Sequence, residues 1–438
     1  MSNPRPSRPG HSTSQRREPR FPLDPSHLVQ RPLDEGAEGT LPVVKLKSPT
    51  RNPTVFRKRI AEVDQKMKHG DLVQVRTVEN EFVGYGIWNP RAEATVRILS
   101  WDQFPTASGW WMPRLHDAVS LRQEMLQLDQ KTGAYRVINA EGDSLPGIVV
   151  DRYGDVLSLE AFSLGMYQRA EAIAQILSAR MSIPHWVVRP GPATLEQEGF
   201  SVEGFASPGA PRKVLIREHE IAYEINPFDG HKTGFFCDQR DNRLLLRNFC
   251  HGKSVLDLCA YTGGFAINAA QAGAREVTAV DLDEEAIRLA RRNAQLNKAS
   301  IKFVHADAFA YMRDMQRNGK TYDVVILDPP KLIRSRDEAA EGQSKYFDLN
   351  KLAASLVNSD GLLLTCSCSG LFSMDELTRT VRAACGDRRP QLLLRTGAAA
   401  DHPVALSSLE SEYLKCLWLK MDANPQAENQ PEHKHHRQ

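Results

Sequence analysis

Long apolar runs are missing from this 438-residue chain, and no stretch approaches the ~18 apolar residues of a membrane span. The opening MSNPRPSRPGHSTSQRREPR has proline and charge where a secretory leader needs an apolar core. The cytoplasm is therefore expected, with no membrane partner. Net charge is nearly missing too: Lys and Arg number 56, Asp and Glu 54, and the formal charge is +2. Bulk attraction to nucleic acid is excluded, so any such partner must be met by a local basic patch. Cysteine is sparse. The seven thiols, Cys237, Cys250, Cys259, Cys366, Cys368, Cys385 and Cys416, are odd in number and lack the dense spacing of a disulfide-stapled secreted fold, so they read as reduced. The late His433, His435 and His436 sit in a polar stretch with nothing to fix their geometry, and no metal is expected.

What is present is a globular balance, 41% hydrophobic and 25% charged residues, in a chain too long for one ordinary core. Residues 1–42, rich in Pro, Ser and Arg, read as a disordered tail, as do the polar residues 422–438. Residues 43–112 show short apolar runs (LVQVRTV, FVGYGIW, TVRILSW) between turns, a small β-rich unit. Before those runs FRKRIAEVDQKM is predicted to be helical, and its Arg57, Lys58 and Arg59 either meet phosphates or form a solvated face. Residues 113–225 mix strand runs with a helix over YQRAEAIAQILSAR, a second α/β module without nameable chemistry.

From residue 226 to about 421 strand-like and helical patterns alternate, which demands a mostly parallel, doubly wound sheet; with QLLLRTG and EYLKCLWLKM it reaches seven strands, one of them able to run antiparallel. Ligands bind such sheets beyond the carboxyl ends of the strands. The first strand runs into Asp257-Leu258-Cys259-Ala260-Tyr261-Thr262-Gly263-Gly264, a glycine-containing loop before a helix N-terminus. It departs from G-x-G-x-x-G, which disfavours a dinucleotide. Asp281, about 20 residues further on, is placed to accept ribose hydroxyls, while Asp283 reads as a helix cap. Asp307 beside Ala308 could accept the adenine amine. These contacts suit an adenosine-bearing ligand, and the segment reads as a class I methyltransferase domain that binds S-adenosylmethionine.

The fourth strand ends in Asp328-Pro329-Pro330-Lys331, a stiff acidic loop that could hold a substrate. Amino methylation would call for an aromatic side chain after the prolines; Lys331 stands there, which favours carbon methylation. The fifth strand ends in Thr365-Cys366-Ser367-Cys368-Ser369-Gly370. Cysteine is often simply buried. Methylation of a pyrimidine at carbon 5, however, requires a thiolate to add first to carbon 6, so Cys368 and Cys366 are both candidate nucleophiles.

Taken together, HKTGFFCDQRDNR at 231–243, LDLCAYTGGFA, AVDLD, LDPPK, CSCSG and AADHP resemble, in order and spacing, the bacterial large-subunit rRNA cytosine-5 methyltransferase family. The resemblance covers about residues 43–420. It implies a PUA-like RNA-binding domain, a small central α/β domain and a Rossmann-like catalytic domain, with large-subunit rRNA as partner and a homodimer as a further expectation. It makes Cys368 the nucleophile, with Asp328 positioning the base. It also lays the FFCDQRDNR segment over the cofactor, so that Phe235, Gln239 and Arg240 join Asp257, Ala260, Tyr261, Thr262, Gly263, Gly264, Asp281, Asp307, Ala308 and Asp328 as candidate cofactor contacts. The basic residues Arg57, Lys58, Arg59 and Lys331 are the candidate RNA contacts. A nitrogen methyltransferase that needs no thiol, and a non-catalytic assembly factor, remain the alternatives.

Overall fold

A computed structural model of the protein describes residues 22–228 and 234–422. The three late histidines, the first 21 residues and residues 231–233 of the HKTG motif lie outside the described residues. The short runs after Leu41 pair into a six-stranded sheet whose strands include Val43–Leu46, Leu72–Thr77, Phe82–Trp88 and Val96–Ser100. Alternate residues such as Val73, Val75, Val96 and Ile98 fill its own small core, as a sheet buried on one face requires.

The helix expected over FRKRIAEVDQKM is absent. The chain there makes a single turn at Arg57–Arg59 and then the strand Ile60–Val63, antiparallel to Val43–Leu46. Phe56, Ile60 and Val63 imitate a helical period, but the open edge of Val43–Leu46 offers backbone groups that need partners, and pairing overrides a weak local preference.

Residues 22–42 also depart from the disordered tail expected. Leu23 and Leu33 enter the core of the middle unit. Gln30 Nε2 donates to the Tyr167 carbonyl at 2.8 Å, Arg31 pairs with Asp71 at 2.9 Å, and Glu35 pairs with the buried Arg169. Two leucines ten positions apart make no periodic signal, and what orders the segment is a surface supplied by other parts of the chain.

The middle unit has a five-stranded sheet, from Ala134–Asn139 at one edge through Ile148–Tyr153, Val156–Ala161 and His185–Pro190 to Phe205–Ala206. The helix Ala170–Met181 packs Ile173, Ala174 and Leu177 into its core. Arg97 of the first sheet reaches Glu198 at 2.7 Å, fastening the two units. A separate hairpin, Val214–Glu218 with Ile221–Ile225, lies against the helix Glu284–Leu296, where Asn293 and the C-cap Asn297 accept from the backbone N–H groups of Glu224 and Ala222 at 2.8 and 2.9 Å.

The last unit carries β1 (Ser254–Leu258), β2 (Glu276–Asp281), β3 (Lys302–His305), β4 (Tyr322–Leu327), β5 (Val357–Ser367), β6 (Gln391–Thr396) and β7 (Lys415–Lys420). Their order is β3-β2-β1-β4-β5-β7-β6, with β7 running opposite to the other six. Helices cover both faces, which is why strand residues are apolar in both directions: Leu256, Leu258, Val325 and Leu363 pack on one side, Val255, Ile326, Leu364 and Trp418 on the other. The order reverses between β1 and β4, and that crevice is where a ligand belongs. Among the described residues no helix is long and apolar enough to cross a membrane.

Because Leu33 is buried against the middle unit, Leu33→Ala is expected to destabilise it by ~2 to 5 kcal/mol. Urea unfolding followed by tryptophan fluorescence checks this, and an unchanged first midpoint would show that residues 22–42 are not part of the fold.

Candidate active site

At the end of β1, Asp257 is fully buried. Its Oδ2 accepts from the Ala266 N–H at 2.9 Å, and its Oδ1 has no partner among the described residues. Burial, with the charges of Asp328 and Asp281 beside it, pushes this carboxyl well above the usual carboxylate range, and the single Ala266 bond offsets that only in part. The chain then turns sharply: Cys259 (φ 61°) and Tyr261 (φ 48°) both take the left-handed conformation that non-glycine residues avoid, and Gly263 (φ 83°) leads into the helix Gly264–Gln271. The strained turn is pinned from β2, where Asp281 Oδ2 accepts from the Tyr261 N–H at 2.7 Å and its Oδ1 from Asp283 at 2.8 Å. Asp283 caps the next helix through the N–H groups of Glu285 and Ala286, as read from the sequence.

Asp307 does a similar job. It caps the helix Ala308–Arg317, accepting from Ala310 at 2.9 Å, and stands exposed at the rim of the crevice. On the other side of β1, Asp328 takes a hydrogen bond from Gln239 Nε2 at 3.0 Å. Gln239 is itself gripped, accepting from Asn242 Nδ2 at 2.7 Å. Thus Asp257, Asp281, Asp328 and Gln239 converge with the 259–264 turn on one crevice.

Two of the expected cofactor contacts do not reach it. Phe235 turns inward, its ring 5.0 Å from that of Tyr223 and beneath the Arg243 guanidinium at 4.8 Å, buried in the core between the hairpin and the sheet. Arg240 is committed to Asp401 by two bonds of 2.9 and 3.0 Å. Asp401 also accepts from the Arg136 N–H at 2.8 Å, and its carbonyl takes the Arg122 guanidinium at 2.6 Å. The AADHP motif is therefore a strut from the catalytic unit to the middle one. The aromatic that does face the turn is Phe236, whose ring meets Tyr261 edge-on at 4.9 Å. The Phe-Phe doublet could have suggested either ring, since only the fold decides which one a one-residue step turns outward.

The two thiols at the end of β5 differ sharply. Cys366 is fully buried opposite Cys416 in the β5–β7 register, and burial together with that neighbouring thiol pushes it well above its ordinary value. Cys368 is half-buried, its Sγ 4.0 Å from the Pro329 carbonyl in the acidic loop. The turn is held from behind. Ser367 Oγ donates to Tyr346 Oη at 2.9 Å, Tyr346 Oη is 3.0 Å from Ser369 Oγ, and Ser369 Oγ accepts from the Ile333 N–H at 3.1 Å. Lys415 Nζ donates to the Ser369 carbonyl at 2.7 Å. Tyr346 gave no signal in the sequence. Lys415 gave one, a charge at the start of an otherwise apolar strand.

Lys331 is exposed on the loop after the prolines. On the first sheet, Arg57 donates to the Pro90 carbonyl at 2.6 Å and Arg59 to the Pro49 carbonyl at 2.8 Å, so both guanidiniums brace local backbone, while Lys58 is exposed.

A β3-β2-β1-β4-β5-β7-β6 sheet with acids at the carboxyl ends of β1, β2 and β4 defines a class I methyltransferase. Comparison with known proteins agrees: S-adenosylmethionine-dependent methyltransferases match over residues 149–386 and PUA-like domains over residues 47–101. Proteins named ribosomal RNA large subunit methyltransferase I are 34% identical in Erwinia tasmaniensis and 35% in Shewanella denitrificans, each over 376 residues. These alignments span 83% and 84% of this chain and 94% of each relative. Two solved structures share the fold. One is described as a SAM-dependent methyltransferase from Streptococcus mutans (TM-score 0.70, 23% identity, 82% of this chain and 93% of that one). The other is a methyltransferase solved in complex with SAH (TM-score 0.72, 22% identity, 84% and 96%). The chain belongs to the S-adenosylmethionine-dependent methyltransferase family, and to the branch of it that carries a PUA-like domain.

Its crevice fits that cofactor. S-adenosylmethionine carries a net positive charge, and a buried carboxylate with an unpartnered oxygen among like charges calls for a cationic, hydrogen-bond-donating ligand. When such a ligand binds, the ionised form of Asp257 is favoured. A proton held by the raised carboxyl is then displaced, so affinity falls as pH falls and binding releases up to about one proton. Calorimetry with S-adenosylhomocysteine and S-adenosylmethionine in two buffers of different ionisation enthalpy measures this. The apparent enthalpies are expected to differ for wild type and to coincide for Asp257→Asn. Coincident enthalpies for wild type would show that Asp257 is already ionised.

Proposed function

We propose that the protein transfers a methyl group from S-adenosylmethionine to carbon 5 of a cytosine in large-subunit ribosomal RNA, with Cys368 as the covalent nucleophile. The observation that carries the reading is the contrast at the end of β5: one thiol sealed between strands and another presented at the mouth, beside the Asp328 loop. The relatives named for ribosomal RNA and the PUA-like match support an RNA substrate in the cytoplasm. Lys58 and Lys331, exposed on the first sheet and on the acidic loop, are then available to phosphates.

The chemistry assigns work to each group. The Cys368 thiolate adds to carbon 6, and the carbon 5–carbon 6 pair becomes available at carbon 5. When bound, the cofactor would supply an electrophilic methyl group to this pair, the methyl–sulfonium bond breaking with its electrons left on the cofactor sulfur. The carbon 5 proton then leaves to a base, its bonding pair restores the double bond, and the carbon 6–sulfur bond breaks to return the thiolate. Asp328, oriented by Gln239, accepts a hydrogen bond from the exocyclic amine of the base and holds the ring against the sulfur. The target has to leave its stack to reach this crevice, and a single-stranded or looped site makes that easier.

Ribosomal RNA with 5-fluorocytosine at the target traps the adduct, because carbon 5 cannot lose its substituent. Wild-type protein and Cys366→Ala are expected to give a complex that survives denaturing electrophoresis, and Cys368→Ala none. The opposite pattern would exchange the roles of the thiols. Full turnover by the double variant would remove covalent catalysis and favour methylation at nitrogen.

A further inference from the structure

Behind the turn that presents Cys368 lies a buried cation. Lys415 opens β7 directly opposite Ser367 of β5, and it is 2% exposed. Its Nζ donates to the carbonyl of Ser369, the residue after Cys368. The titratable groups that face it are the Cys368 sulfur from the turn after β5, Glu412 from the chain before β7, Cys416 on β7 itself, and Glu376 from the helix Met374–Ala384. Glu376 is already engaged, accepting from the N–H and hydroxyl of Ser373. A buried ammonium is costly unless a negative partner answers it, and one backbone carbonyl is a weak answer. The strand could have been completed with an apolar residue, as Leu417, Trp418 and Leu419 complete it further on.

We propose that Lys415 is a positioning residue for Cys368: its ammonium fixes the turn through the Ser369 carbonyl and holds the neighbouring sulfur in the thiolate form that adds to the pyrimidine. The inference rests on Cys368 being the nucleophile. Lys415 neither gains nor loses a proton in the cycle. It stabilises the sulfur anion before addition and again after carbon 6 releases it. Burial lowers the Lys415 amine to about 8, so the ammonium is present at neutral pH. Its help fades as the pH rises through that value, where a thiol ionises increasingly without help.

The test follows alkylation of the full-length protein by iodoacetamide across pH, read at the Cys368 peptide by mass spectrometry. Wild-type Cys368 is expected to reach half its maximal rate about 1 to 2 pH units below an ordinary thiol. Lys415→Met should move that midpoint back up, and Lys415→Arg should leave it near the wild-type value. A wild-type midpoint at the ordinary thiol position overturns the inference without any variant having to fold. A folded Lys415→Met protein with an unshifted midpoint overturns it too, leaving Lys415 as a brace for the turn. If Cys368→Ala still forms the fluorocytosine adduct, the assignment of the nucleophile fails instead, and the alkylation midpoint distinguishes the two failures.

Discussion

Three carboxylates, Asp257, Asp281 and Asp328, are brought together where the strand order reverses, and the surrounding structure is arranged around the cost of that convergence. Like charges in a poorly solvated crevice repel strongly. Each acid is therefore given donors: Ala266 for Asp257, the N–H groups of Tyr261 and Asp283 for Asp281, and Gln239 for Asp328. To deliver the Tyr261 N–H, the turn after β1 accepts two non-glycine residues in the left-handed region. The strain and the orphaned Asp257 oxygen are two sides of one design, a site left electrostatically incomplete until a cationic ligand fills it.

The same demand explains the strut. Gln239 can serve Asp328 only if the helix Arg240–Leu246 is held in place, and the neighbouring Arg240 anchors that helix to Asp401. Asp401 in turn is gripped by Arg136 and Arg122 of the middle unit, with His402 Nδ1 3.2 Å from its Oδ1. A buried network of this kind adds little net stability, but breaking one member is expensive, so it fixes orientation. The middle unit thereby helps to position the glutamine that bonds to Asp328.

The alternation of strand and helix from residue 254 onward was legible because both periods are strong there and caps such as Asp283 mark the helix starts. The acids at the strand ends were legible for a topological reason: ligands sit at those ends whatever the fold's details. What failed depended on partners remote in sequence. Ile60–Val63 became a strand because an open edge lay beside it, and Leu23 and Leu33 found a core built by residues spread from Leu72 to Phe200. Phe235 and Arg240 stand in a segment that the family resemblance laid over the cofactor, yet one fills a core and the other clamps Asp401. Asp307 showed how a cap and a ligand contact draw on the same residue type. Lys415 was not singled out in the sequence, and only the pairing of β7 with β5 reveals what it stands behind.

On the proposed reading, sheet, strut and turn serve one event, the transfer of a methyl group to a carbon atom that a thiol has first made nucleophilic. Carbon 5 methylation must expel the hydrogen already there, whereas methylation of any ring or exocyclic nitrogen leaves it in place. The most direct measurement is therefore release of tritium to water from ribosomal RNA labelled at carbon 5 of its cytidines, taken together with methyl incorporation from S-adenosylmethionine. The account predicts one tritium equivalent released for each methyl group transferred, after correction for labelling. Methyl incorporation without tritium release would contradict it.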